Sequence, residues 1–230
     1  MRTLKITIAV LILSASSLTA QQPVDVALDK WRDAAGKIRA FEADCERITR
    51  DRVFKVEEKY KGRIRFLKTN TSILASIEFK KIDNPAVFEK LIVDDRHLYE
   101  YASSMKQIRK HELPKQQAAD NFVSLLVGMN AKDAKKRFGI VLERSDDHYN
   151  YLKITPRLDR DKGQFDSVQV AVDKTTDLPS LIGVGQVNGN DATWGLSNIN
   201  LQASHLRPDD FAPKLPAGWS LVDLGAKARP

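Results

Sequence analysis

A single cysteine, Cys45, stands in 230 residues. That excludes a disulfide framework, paired-cysteine metal sites and CxxC redox chemistry. Cys45 shares a period-two register with Phe41 and Ala43 and reads as a small buried hydrophobe. Histidine is equally sparse. His97, His111, His148 and His205 are scattered, and none has the HExxH or HxH spacing of a metal site. Gly183, Gly185 and Gly189 miss the dinucleotide-binding spacing by one residue and fall on a hairpin. They read instead as points of sheet curvature or close backbone approach. The segment Gly195-Leu196-Ser197-Asn198-Ile199 lacks the closing glycine of a nucleophile elbow. Asp159, Asp161 and Gly163 are too few for a calcium loop and read as a plain turn. The pairs Asp94–Asp95 and Asp146–Asp147 lie in turns with no apolar surroundings to split their pKa values. The expectation is a protein that is not an enzyme, with no catalytic residue, no metal and no cofactor.

Hydrophobic residues make up 42% and charged residues 29%, the balance of a globular chain rather than a disordered one. The net charge of +7 does not form clusters, because Lys and Arg alternate with Asp and Glu along the chain. This pattern predicts a solvated outer face rather than a nucleic-acid groove. Residues 1–20 are of another kind. Arg2 and Lys5 precede the apolar run Ile6–Leu13, followed by small residues up to Ala20. They read as a signal peptide cleaved after Ala20 or Ser17, leaving residues 21–230 as a single exported domain. No cysteine lies near the cleavage site to carry a lipid anchor.

Ala27, Trp31, Ala34, Ala35 and Ile38 recur at helical spacing and predict an amphipathic helix over 25–38. From Ala40 the period becomes two. Phe41, Ala43 and Cys45 alternate with acidic residues, and Phe54 and Val56 continue the alternation. Tyr60, Gly62, Ile64 and Phe66 form a second apolar series; Ile73, Ala75, Ile77 and Phe79 form a third. A sheet with one apolar and one charged face follows, and the charged face needs no cover. The stretch Lys90–Lys110 predicts a three-strand meander broken at Asp94-Asp95-Arg96 and at Ala102–Ser104. After Pro114, Phe122, Leu125, Leu126 and Met129 make a helical stripe. A second, basic helix is expected to run to Phe138 and to end at Gly139. Strands resume at Ile140–Glu143, Tyr149–Thr155 and Phe165–Val172. A hairpin across Asn188–Asp191 and an extended strap over Pro208–Val222 end the chain.

Taken in order, these pieces resemble LolA, the periplasmic carrier of outer-membrane lipoproteins. Val93 to Tyr101 is similar to the family's "DG-x-x-L-W-x-Y" segment, with Gln107-Ile108 where its "QV" falls. Tyr151–Pro156 is similar to its "F-x-L-x-P" strand, and Phe211–Gly218 to its "F-x-F-x-P-P-x-G" tail. The resemblance implies a mostly β, α+β fold. Its core would be an unclosed antiparallel β-barrel of about eleven strands with an N-terminal helix and a helical lid insertion. It further implies a concave acyl-chain pocket lined by Phe41, Ile64, Phe66, Ile73, Ile77, Phe79, Leu91, Val93, Tyr99 and Tyr101. Phe122, Leu125, Leu126 and Met129 would form the lid. Lys68 would fasten it, standing where the family has arginine; a lysine keeps the charge and loses the planar fork. Asp95 departs from the family's usual glycine. The implied function is a monomeric periplasmic carrier that shelters lipoprotein or lipid acyl chains. Its partners would be an inner-membrane release complex and an outer-membrane acceptor, with no nucleic acid. The alternative is a periplasmic sensor or interaction module that binds a protein partner on the same concave face.

Overall fold

The computed structural model describes residues 23–113, 131–163 and 165–225. Helix α1, Pro23–Gly36, starts with proline and has Asp25 in its first turn, both favourable at a helix N-terminus. Val24, Ala27, Leu28, Trp31 and Ala35 form its buried stripe. The β1–β3 strands follow as Ala40–Asp51, Val56–Lys68 and Ile73–Lys81. The expected meander is β4, β5 and β6, at Phe88–Val93, His97–Ala102 and Gln107–Glu112. A second helix, α2, spans Ala131–Arg137 and passes directly into β7, Phe138–Ser145. Strands β8 to β11 are Tyr149–Pro156, Ser167–Asp173, Pro179–Gly185 and Asp191–Asn200, and β12 is Ser220–Asp223. Among the described residues these form one sheet of twelve strands, in the order β12-β6-β5-β4-β3-β2-β1-β11-β10-β9-β8-β7. Every pair is antiparallel except β12 with β6, and β12 and β7 are edges, so the barrel is not closed. No helix of the described residues is long and apolar enough to cross a membrane.

Two expectations change here. Phe138 and Gly139 do not close a helix; they open β7, paired with Pro156 and Thr155. The period-two alternation of Phe138 and Ile140, both buried, wins over helical continuation. Phe54 and Val56 are not buried. The β1–β2 turn projects past the neighbouring strands, and both side chains are exposed.

The register assigns every strand residue to one of two faces, because directly opposed residues share a side. On the inner face, Phe41 pairs with Phe66, Ala43 with Ile64, and Cys45 with Gly62. Ile64 meets Ile77, and Ile77 meets Leu91. On the other wing Trp194, Ile182, Val170, Leu152 and Leu142 continue the row. Helix α1 covers that wing, with Trp31 and Leu28 packed among Ile140, Leu152, Ile154, Val170 and Ile182.

The outer face over β1–β3 is the charge ladder that the sequence predicts. Glu42 bonds Arg65, Asp44 bonds Arg63, and Lys61 meets Glu46. Farther along, the outer face carries Lys90 and Lys110 but is otherwise largely apolar. Ile92, Tyr101 and Ile108 are buried there beneath the strap residues Ala203, Leu206 and Phe211. Leu67, Leu74, Phe88 and Trp219 border this second core, and Trp219 stacks on Phe88 at 5.7 Å. The expectation that the outer face needs no cover therefore holds for the charged part of β1–β3 and fails for β4–β6 and for the Leu67–Leu74 end of β2 and β3.

Candidate functional site

The inner face of β1–β3 carries an apolar wall. Phe41, Ile64, Phe66 and Ala75 are buried and Ile77 is half-buried. With Leu196 they line a cavity whose opposite side is Ile38, beyond α1, and Leu178 and Pro179, at the start of β10. Residues from distant strands meet there because the sheet coils on itself. Gly62 marks the tightest bend, since a Cβ on it would lie 1.7 Å from the Glu78 carbonyl oxygen. Gly183 and Gly185 make no such close approach, so the close approach expected for the hairpin glycines belongs to Gly62. The cavity measures about 40 Å³. That space fits a fragment of a chain; sites for drug-sized ligands run to roughly 300 Å³ or more. The same face continues as Leu91, Val93 and Leu98, all half-buried.

One end of the wall is closed by charge. Arg47 follows Cys45 in the same register and points inward. Its guanidinium lies 4.2 Å from the Tyr60 ring centroid and 5.0 Å from that of Phe79. It forks onto Glu89 through bonds of 2.6 and 2.7 Å. Glu89 is on β4, three strands from β1, which a flat sheet would hold about 14 Å away. The coil of the sheet brings the two within reach. Arg47 Nε is buried with no hydrogen-bond partner. Beside it, Tyr60 donates to Glu58 at 2.9 Å, and so does Lys81. The Lys81 bond first, then the Tyr60 bond, hold the Glu58 carboxyl below its ordinary range.

The other end of the wall carries Lys68 and Asp95. Lys68 shares the register of Phe66, opposite Ile73, and both are exposed at the mouth. Asp95 of the β4–β5 turn accepts the Ile73 amide at 2.9 Å and so fixes the start of β3.

The predicted pocket residues thus divide. Phe41, Ile64, Phe66 and Ile77 line the cavity. Phe79 is buried on the same face under Arg47, and Leu91 and Val93 extend that face. Ile73 is at the exposed mouth. Tyr99 and Tyr101 are on the opposite side: Tyr99 is paired with Ile92, and Tyr101 belongs to the strap core. The Tyr101 hydroxyl donates to the Lys214 carbonyl at 3.1 Å and accepts the Lys214 amide at 2.8 Å. Their place in the pocket is corrected by the one-residue parity of β5, which turns Leu98 and Glu100 inward instead. Phe122, Leu125, Leu126 and Met129 lie outside the described residues. Sequence reading missed Arg47 and Glu89. Their signal was available, since each places a charge in an otherwise apolar register.

Cys45 is buried in the wall, and burial pushes its thiol up to about 12. Asp161, read as part of a plain turn, sits in the helical turn Asp159–Lys162. It takes a two-point bond from Arg137, both distances 2.7 Å.

No protein-family model matches the chain, and no curated protein matches it. Solved structures do. An uncharacterized conserved protein from Thermus thermophilus is similar with a TM-score of 0.54 at 10% identity, over 88% of this chain and 99% of that one. A LolA superfamily protein from Nitrosomonas europaea aligns with a TM-score of 0.39 at 14% identity, over 83% and 97%. A chain of the Pseudomonas aeruginosa MucA/MucB complex aligns with a TM-score of 0.46 at 10% identity, over 83% and 61%. At these identities the Thermus likeness shows a shared fold and nothing more. That fold is an unclosed, coiled antiparallel sheet with its N-terminal helix laid along the inner face.

Proposed function

We propose that the protein binds acyl chains of a lipid or lipoprotein on the inner face of β1–β5 and carries them through the periplasm. The observation that supports this reading is the continuity of the apolar wall. The cavity between Phe41, Ile64, Phe66 and Ile77 runs on into Leu91, Val93 and Leu98, which are half-buried among the described residues. A guest enters by displacing the cover of this face. Each methylene then gains about 0.8 kcal/mol on leaving water, so a long chain offsets the cost of opening. In this reading Phe122, Leu125, Leu126 and Met129 supply the cover, and Lys68 at the mouth fastens it. Export by residues 1–20, an inner-membrane donor and an outer-membrane acceptor belong to the same proposal.

Titration with a fatty acid bearing a polarity-sensitive fluorophore tests it. Saturable enhancement is expected, and Ala75→Trp, which fills the cavity, should weaken it by roughly tenfold. Absence of binding, together with capture of a membrane protein free of lipid, would replace this reading with the interaction-module alternative.

A further inference from the structure

The two rims of the sheet differ in chemistry. Strand directions put the β2–β3, β4–β5, β7–β8 and β9–β10 turns at one rim and the β1–β2, β3–β4, β5–β6 and β10–β11 turns at the other, together with the β8–β9 connection, whose charges are of both signs. The turns of the first rim are polar, with Ile73 exposed beside them. Thr69, Asp94, Asp146 and Asp173 each accept backbone amides from their own turns. It also carries Asp95, Asp147 and Asp177. The second rim exposes bulky apolar side chains at its tips: Phe54 is 78% exposed, Val53 72%, Val187 61% and Met105 58%. Ile82 and Val87 on the β3–β4 turn are exposed as well.

Three of these hairpin ends are tied together. The Arg52 amide donates to Asn190 at 3.2 Å, and the Arg52 guanidinium pairs with Asp191, tying the β1–β2 tip to the β10–β11 tip. The Ile82 amide donates to the Lys59 carbonyl at 2.9 Å, tying β3–β4 to β2. Asp51 accepts the Val53 and Phe54 amides, both at 2.9 Å, which fixes the tip so that both side chains point away from the body. Lys55, at φ 54, completes this turn, and Lys106, at φ 51, completes the β5–β6 turn. Basic residues Arg52, Lys55 and Lys106 therefore stand among the exposed apolar ones, with Asp83, while the far rim is net acidic, its aspartates outnumbering Arg96 and Lys174.

We infer that this rim docks on an anionic phospholipid surface. The exposed apolar side chains stand at the ends of hairpins, so they fit a soft, flat partner. Aromatic and aliphatic tips flanked by Lys and Arg match the apolar and charged layers of a bilayer interface. The acidic rim is repelled by the same surface, and this sets one orientation. The inference stands whether or not the inner wall holds an acyl chain.

A fluorophore placed by Val53→Cys reads the tip directly, because Cys45 is buried and the introduced thiol is the one labelled. A second label, by Asn70→Cys, reports on the polar rim. With vesicles of phosphatidylglycerol and phosphatidylethanolamine, the label at position 53 should leave water and the label at 70 should not. Adding Phe54→Asp to the Val53→Cys protein should weaken vesicle binding at least about tenfold. Phosphatidylcholine vesicles should bind more weakly than anionic ones. A label at 53 that stays in water on every vesicle overturns the inference. So does an equal response at both rims, an unchanged affinity with Phe54→Asp, or a response at 53 to a protein partner alone.

Discussion

A methyl group on Gly62 would collide with the Glu78 carbonyl, so the coil of β2 against β3 requires glycine there. Gly62→Ala should cost about 3 kcal/mol, since backbone rather than a flexible side chain must move. Urea unfolding measures it, and a loss below about 0.5 kcal/mol would contradict the account. Cys45, opposite Gly62, gives a second check. Its thiol should be silent to thiol reagents in the folded protein and should react on unfolding. Its folded pKa is raised from an ordinary value near 9 to about 12. The unfolded chain therefore loses this proton first. The contribution to stability is full below pH 9 and is lost as pH rises from 9 toward 12. A Cys45→Ala variant should lack this part of the alkaline decline in denaturation curves. At this scale alternation made the buried faces of β1 to β3 legible, because strand side chains obey a strict period of two. It did not show which glycine bears the bend, since close backbone approach is a property of paired strands and not of one segment.

The strap over 203–219 is the element that sequence reading places without its partner. Phe211 was visible as part of an extended tail, yet its destination depends on Ile92, Tyr101 and Ile108 facing outward. Those residues sit at the polar parity of neighbouring strands, where Leu67 and Leu74 also appear. A run of apolar residues at that parity is the trace of a second core, and it accounts for the misplacement of Tyr99 and Tyr101. Tyr101→Phe removes the hydroxyl that both accepts from and donates to Lys214. The expected cost is about 1 kcal/mol. Faster proteolytic cutting within 212–219 should accompany it, with the sheet intact. Unchanged cutting would mean that the strap is held by Trp219 and Phe211 alone.

At the scale of the whole molecule, one coiled sheet separates three environments. Helix α1 fills the inner face of one wing, the strap fills the outer face of the other, and the wall of β1–β3 is left with a cavity. Element order and type were legible because they follow local periodicity, and the resemblance to LolA implied the open barrel. The Arg47–Glu89 closure was not, because it joins residues 42 positions apart through the coil of the sheet. The central claim is that this wall yields to hydrocarbon. The most direct measurement is the acyl-fluorophore titration carried out in parallel on the parent protein, on Ala75→Trp and on Tyr101→Phe. The account predicts saturable binding to the parent, about tenfold weaker binding with the cavity filled, and parent-like affinity when only the opposite face is altered. Binding that ignores Ala75→Trp, or that is lost with Tyr101→Phe, would contradict it.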